Sequence, residues 1–340
     1  MKKHNLDLAN ISTLLYSEDH AQVNLPVCDH YTGRPKYFEK ALQIRAEIGA
    51  CFDITLDLED GAVVGHVTEI ATWAAQSLVD FSARYGGETR RPGVRLHPVQ
   101  DPAFEQELPI VLREGVPLPA YLMLPKPENF DDVKLAIGRI REQCAKAGVE
   151  APPMHVLIET HGALAAVHQI AGLEEVESLS FGIMDFISSH RSAIPKTALN
   201  SPGQFENPLV RRAKLEISAA CHRFGKVPSH NVTRNIRQPE MAAEDATRAK
   251  RDFGFTRMWS IHPDQIPVII EAFAPVAAEV DDAVEILMAA QAAHWAPTSY
   301  HGVLHDRASY RHYWHVLERA WLTGQPLPAD TEAAFFATEP

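Results

Sequence analysis

Eight short apolar runs, each separated from the next by a longer amphipathic stretch, constrain this chain more than any other feature. They lie near residues 21–27, 51–58, 93–97, 120–125, 154–159, 178–183, 226–230 and 257–261. Several stop on a residue that chemistry can use. DITLDLEDG ends on Asp57, Glu59 and Asp60, GVRLHP carries Arg95, AYLMLPK ends at Lys126, MHVLIET runs into Glu159, LSFGIMD into Asp185, and MWSIHPDQ carries His262. Between the runs, KYFEKALQIRAEIGA (36–50), HVTEIATWAAQSLVDFSARY (66–85) and FDDVKLAIGRIREQCAKAG (130–148) repeat apolar residues at three- and four-residue intervals, as amphipathic helices do. Strands alternating with helices predict a parallel sheet, and eight such units predict an α/β chain closed into a (β/α)8 TIM barrel. The downstream strand ends of such a barrel form one face, where its active sites are built. The rival fold, an open doubly wound sheet, usually carries a glycine-rich turn after an early strand, whereas the second run here is followed by acids.

With 340 residues, 46% of them hydrophobic and 22% charged, the chain can bury one large core without requiring several domains. The barrel is expected within residues 1–275. Residues 276–340 read as a C-terminal helical extension: the helix VAAEVDDAVEILMAAQAAH, a turn-rich link, a second helix and a Pro-rich tail, too small to hold a core of its own. The segment ISSHRSAIPKTALNSPGQFEN (187–207) is longer than ordinary barrel connections and reads as either a substrate lid or a mobile insertion.

A net charge of -12 without a run of Lys or Arg argues against nucleic acid as a partner. Cys28, Cys51, Cys144 and Cys221 are widely spaced, which suggests neither a zinc site nor disulfides and fits reduced thiols in a cytosol. The opening MKKHNLDLANISTLL is broken too early by Asn and Asp for a signal peptide, and no apolar stretch is long enough to span a membrane. The expectation is a cytoplasmic enzyme acting on a small molecule.

Glu159 closes one strand and Asp185 follows the next, so the two carboxylates leave neighbouring strand ends and can converge on one hard cation. Mg2+ suits them, because it takes oxygen ligands and often needs only one or two protein carboxylates beside water and substrate. A soft metal is disfavoured by the spacing of Cys and His. For either acid alone, the competing role is a helix cap. Glu59 and Asp60 are expected to face the site and hold metal-bound water or a basic neighbour, leaving the other acid to cap the helix beginning near His66. Arg95 is a permanently charged fork suited to a substrate carboxylate or a developing oxyanion, the alternative being a buried ion pair with an acid of the second strand. Lys126, between two prolines, is structural or electrostatic, since surrounding carboxylates oppose the neutral amine that a Schiff base needs. His262 is expected to organise a strand-to-helix turn.

The series DLEDG (57–61), VRLHP (94–98), LMLPKPE (122–128), VLIET (156–160), FGIMDF (181–186) and IHPDQI (261–266) resembles the citrate lyase β-subunit and malyl-CoA lyase family, within the broader magnesium-dependent aldolases. The resemblance runs from about residue 33 to 275, with a weaker echo in GVLHD (302–306). It implies a (β/α)8 barrel, Mg2+ on Glu159 and Asp185, and Arg95 on the substrate's carboxylate or carbonyl. It also implies a homo-trimer or hexamer in which a C-terminal Asp, here Asp306, reaches a neighbour's site as acid or base. Two features depart from the family. NLPVCDHYTGRP (24–35) keeps Gly33 and Pro35 but lacks the family's early Arg, and His97 stands where Asn is common.

The reaction so implied is reversible aldol cleavage of a 3-hydroxy acyl-CoA to a 2-oxo acid and an acyl-CoA. Catalytic roles are expected for Arg95, Asp306, Glu59 and Asp60, with substrate bound by Arg95, Lys126 and Glu159. The two departures keep a CoA-independent aldolase of 4-hydroxy-2-oxo acids as an alternative. A non-catalytic metabolite-binding subunit is the third possibility.

Overall fold

The computed structural model describes residues 15–16, 23–62, 65–86 and 90–336. The opening residues 1–14, on which the signal-peptide expectation mainly rests, lie outside this set. Eight parallel strands close into a barrel in sequence order, with β8 paired back to β1. They are β1 (Cys28–Thr32), β2 (Phe52–Asp57), β3 (Gly93–Arg95), β4 (Leu122–Leu124), β5 (Met154–Ile158), β6 (Val176–Phe181), β7 (Val227–His230) and β8 (Arg257–Ser260). Helices between them complete the (β/α)8 architecture. No described helix is long and apolar enough to cross a membrane.

Seven strands lie within two residues of their expected places, but β1 does not. It was expected at 21–27, of which residues 21 and 22 are outside the described set, and it runs instead from Cys28 to Thr32. Pro26, inside the expected run, has no N–H to give a ladder. The true strand, CDHYT, looks polar because the barrel interior beside it is polar. Asp29 faces inward, 3.0 Å from Arg257 Nη2, and accepts hydrogen bonds from Thr55 and Tyr121.

Side chains alternate across each strand, so every second residue enters the barrel. At the upstream end Asp29, Asp53, Tyr121, His155 and Arg257 form a buried polar layer. Arg257 is 2.7 Å from Asp53 and 3.0 Å from Asp29, and Arg90 also donates to Asp53. Two residues further along their strands, Tyr31, Met123, Leu157 and Trp259 form an apolar layer. Tyr31 and Trp259 stack with ring centres 4.7 Å apart. Beyond that layer, Asp57, Arg95 and Glu159 reach the mouth. The largest apolar core fills the space between strands and helices.

The 187–207 segment is anchored rather than hanging free, which corrects the mobile-insertion reading. It forms a 3-10 turn (Lys196–Leu199) and a short helix (Gly203–Glu206), buries Ile194, Ala198 and Phe205, and ties Gln204 to Asp245 at 3.0 Å. The C-terminal extension also departs from expectation. Its helices Ala277–Ala292, Arg307–Leu322 and Ala329–Phe335 bury a separate apolar cluster around Ile286, Leu287, Trp314, Leu317 and Phe335, to which Leu15 contributes. Aromatic side chains explain how so short a segment builds a core, since each buries a large apolar area. An antiparallel hairpin, β9 (Thr298–Tyr300) and β10 (Val303–His305), projects between the two long helices. The extension meets the upstream end of the barrel through Asn24, which donates to Glu318 at 2.9 Å.

Candidate active site

The mouth is organised around Asp57. Its two carboxylate oxygens receive Nε and Nη2 of Arg95 at 2.7 and 2.6 Å, a two-point clamp, and also accept the backbone N–H groups of Glu59 and Gly61. The acids of DLEDG therefore hold their own turn and their neighbours. They do not cap the next helix: Val67–Tyr85 begins after His66 with no side-chain cap. Arg95 keeps Nη1 for Glu59, 3.1 Å away, and lies 5.3 Å from the centre of the Tyr31 ring. Glu59 accepts a hydrogen bond from the Lys126 ammonium, which also donates to Asp60 at 3.1 Å and stands 4.0 Å from Asp185. The expected site residues on strands two to six thus form one connected cluster.

Local backbone chemistry places Glu159. Lys126, between Pro125 and Pro127, adopts a left-handed conformation (φ 50°), and its N–H donates to Glu159 Oε1 at 2.9 Å. The cap role is taken by the next residue: Thr160 accepts from Ala163 N and starts the helix His161–Ala165, leaving Glu159 free. Gly182 makes room above it, since a Cβ there would stand 2.0 Å from Glu159 Oε2. Asp185 lies in the first turn of the helix Ile183–Ser188 with its side chain 42% exposed. Glu159 is buried.

The charges are unbalanced. Among the described residues, Asp57, Glu59, Asp60, Glu159 and Asp185 face the cations of Arg95 and Lys126 alone. Burial, assisted by the charge of Asp185, lifts the Glu159 carboxyl to about 8, with Arg95 opposing. Burial also raises Glu59, against the pull of Arg95 and Lys126. Burial works against the Lys126 ammonium too, but Glu59 and Asp60 outweigh it and hold the amine above its ordinary range. Such an amine is a fixed cation, not a Schiff-base nucleophile.

A buried carboxyl that resists ionisation beside a second, partly exposed carboxylate is a donor set suited to a divalent cation, which would supply the missing positive charge. No group of three or more Asp, Glu, His or Cys among the described residues could hold a metal ion by itself. That leaves the pair Glu159 and Asp185 with open positions for water and substrate. Asp306 is not part of this cluster. It caps the helix Arg307–Leu322, accepting from Ala308 N at 3.0 Å. His262 shapes its turn, with Nδ1 receiving Asp264 N and its carbonyl receiving Ser260 Oγ. His97 is held through its backbone N–H and ring by Glu107.

Sequence reasoning offered an ion pair of Arg95 with an acid of the second strand as an alternative but did not single out Asp57, and it missed the ring of Tyr31 beneath that arginine and Gly182. The first two follow from the two-residue alternation once the strands are in register. The third has a local signal, a glycine between a strand end and an acid.

A closed barrel whose strand ends gather charged side chains at one mouth has the architecture of an enzyme that acts on a small molecule. Its relatives narrow the class. The family model described as HpcH/HpaI aldolase/citrate lyase matches residues 42–263. The chain belongs to that family, and with it to the carbon–carbon lyases. A citrate lyase from Burkholderia xenovorans LB400, solved by crystallography, is 48% identical, with 94% of this chain and 98% of that one covered and a TM-score of 0.80. The L-malyl-CoA/beta-methylmalyl-CoA lyase of Rhodobacter capsulatus is 27% identical over 82% of this chain and 88% of its own length. Protein CitE from Mycobacterium tuberculosis, crystallised with magnesium, acetoacetate and coenzyme A, shares the fold at 20% identity, with a TM-score of 0.63 over 87% of this chain and 98% of that one.

Proposed function

We propose that this chain is a Mg2+-dependent lyase that reversibly cleaves a 3-hydroxy acyl-CoA to a 2-oxo acid and an acyl-CoA. The observation that carries the reading is the carboxylate surplus at the mouth, centred on buried Glu159 and on Asp185. These two residues would hold the ion. When bound, Mg2+ supplies Lewis-acid polarisation of the substrate's hydroxyl and carboxylate oxygens.

The remaining work falls to side chains already in place. Arg95, fixed on two nitrogens by Asp57, has a second Nη1 N–H beside the one that faces Glu59, and would offer it to the carbonyl whose oxygen gains charge as the carbon–carbon bond breaks. Asp57 is a positioning residue, because it acts through Arg95. Lys126 keeps the acids of the mouth apart and adds a fixed positive charge for the substrate's carboxylate. Glu59 and Asp60 orient that ammonium, and Glu59, with its carboxyl raised, is suited to pass a proton. The apolar layer below closes the site to water from beneath.

Asp306 enters this scheme from a second copy of the chain, as the acid that protonates the enolate of the departing acyl-CoA. Its hairpin carries Val303 and Leu304, 59% and 72% exposed, an apolar tip suited to packing on a neighbour in a homo-trimer or hexamer. A cytoplasmic location goes with this metabolic role.

The deciding test offers Mg2+ with malyl-CoA, citramalyl-CoA, citryl-CoA and free 4-hydroxy-2-oxo acids, and reads release of 2-oxo acid. Cleavage of a thioester is the expected result. Release only from free acids would replace the CoA reading with the free-acid aldolase, and binding without turnover would make the chain a metabolite-binding subunit.

A further inference from the structure

At the end of the barrel opposite the mouth, a cleft of about 220 Å3 lies between the barrel floor and the helix Arg307–Leu322 of the extension. Its floor includes Asn24, Lys226 and Thr256, and its roof His315, Glu318 and Arg319. Lys226 and Arg319 are both partly buried, and neither has a hydrogen bond or ion pair from its side chain to any described residue. That sets them apart from the other buried cations. Arg90, Arg95 and Arg257 meet carboxylates, Lys214 donates to Gln204, and Lys250 donates to the carbonyls of Phe273 and Ala274.

The acid in the cleft wall does not serve them. Glu318 is occupied by Asn24 at 2.9 Å and His315 at 2.7 Å. Burial pushes the Lys226 amine below its ordinary range although Glu177, Glu174 and Glu175 favour its charge from a distance. It likewise lowers Arg319, against Glu318 and Glu279. Two partly buried positive charges with no carboxylate in direct contact among the described residues are costly, and an anion placed between them lowers that cost.

We propose that this cleft binds a small polyvalent oxyanion, chelated between Lys226 on the barrel and Arg319 on the extension. The volume admits phosphate or a short polycarboxylate, which share the required chemistry, and the Thr256 hydroxyl is available as a further donor. Because the two cations belong to different parts of the fold, the bound anion would fasten the extension, with its hairpin, to the barrel.

The test is thermal unfolding of the full chain in EDTA, with phosphate or citrate added and sodium chloride at matched ionic strength as the control. It is run in a Glu159→Gln background, which weakens metal-dependent binding at the mouth, and the variants of the two cleft cations separate the cleft from anion binding to Arg95 and Lys126. A saturable rise in Tm of roughly 3 °C is expected. It should be lost in Lys226→Met and in Arg319→Met and kept in Lys226→Arg, with circular dichroism confirming that each variant folds. If either methionine variant fails to fold, Lys226→Gln and Arg319→Lys replace them, and weakened binding is read as a higher half-saturation concentration. Comparing the phosphate and citrate arms identifies the source of the anion. An equal rise in the cation variants, or no rise at all, overturns the site.

Discussion

At the barrel floor Asp29 and Asp53 face Arg257 and Arg90, two acids against two cations, all inside one closed layer. At the mouth, among the described residues, Asp57, Glu59, Asp60, Glu159 and Asp185 face Arg95 and Lys126 alone. Strand β2 carries a member of each cluster, Asp53 and then Asp57 two steps of the alternation further on, so composition alone does not separate them. Compensation does. At the floor, the charges of Arg90 and Arg257 outweigh burial and hold Asp53 below the ordinary carboxylate range, whereas at the mouth burial and Asp185 together lift Glu159 to about 8. The balanced cluster is a structural lock. The unbalanced one has room in its charge balance for a cation and a substrate.

The widest separation between the two comes from breaking each. Arg257→Leu leaves Asp29 without its arginine and Asp53 with Arg90 alone, and should cost about 5 kcal/mol of stability, read from the urea midpoint. A loss under about 1 kcal/mol would show that the floor is not a lock. Glu159→Gln should do the reverse, lowering kcat/KM for the thioester by ~10^3-fold, about 4 kcal/mol, while the unfolding midpoint in EDTA is unchanged or higher. Asp185→Asn should follow it in activity. Retained Mg2+-dependent turnover in both variants would remove these residues from the metal site.

A smaller effect tests the packing that supports the mouth. Gly182→Ala inserts a methyl group 2.0 Å from Glu159 Oε2 and 2.5 Å from its Cβ, so the carboxylate must move. Activity should fall by ~10^2-fold, about 2.7 kcal/mol, with a matching loss of Mg2+ affinity and little change in overall fold. Wild-type affinity for Mg2+ in that variant would mean that Glu159 is free to shift without cost.

The barrel and most of its mouth were legible in the sequence because parallel strands buried on both sides read as apolar runs, and their ends stand out as polar residues against them. Glu59, Lys126, Glu159 and Asp185 could be placed on one face from that pattern alone. β1 was not legible, for the reason that makes the floor distinctive: Asp29 is tolerated inside because Arg257 comes to it from a strand more than 200 residues away. The partner of Arg95 was legible only as one of the acids of the second strand, since which of the three turns inward depends on the register of β2 against β3. The core of the extension escaped notice because its aromatic residues are scattered over two helices and join only when these pack.

The finest distinction between floor and mouth is a proton. A Glu in the unfolded chain titrates near 4.3, whereas Glu159 in the fold titrates at about 8, so between those values the folded state binds more protons than the unfolded one. The contribution of this carboxyl to stability is therefore fully present below about pH 4 and is lost as pH rises through 8. In EDTA the wild type should lose up to about 1.4 kcal/mol per pH unit across that window relative to Glu159→Gln, whose side chain does not titrate. Parallel stability profiles for the two proteins would mean that Glu159 is already ionised in the fold. The mouth would then be compensated like the floor, and the case for a cation there would fall with it.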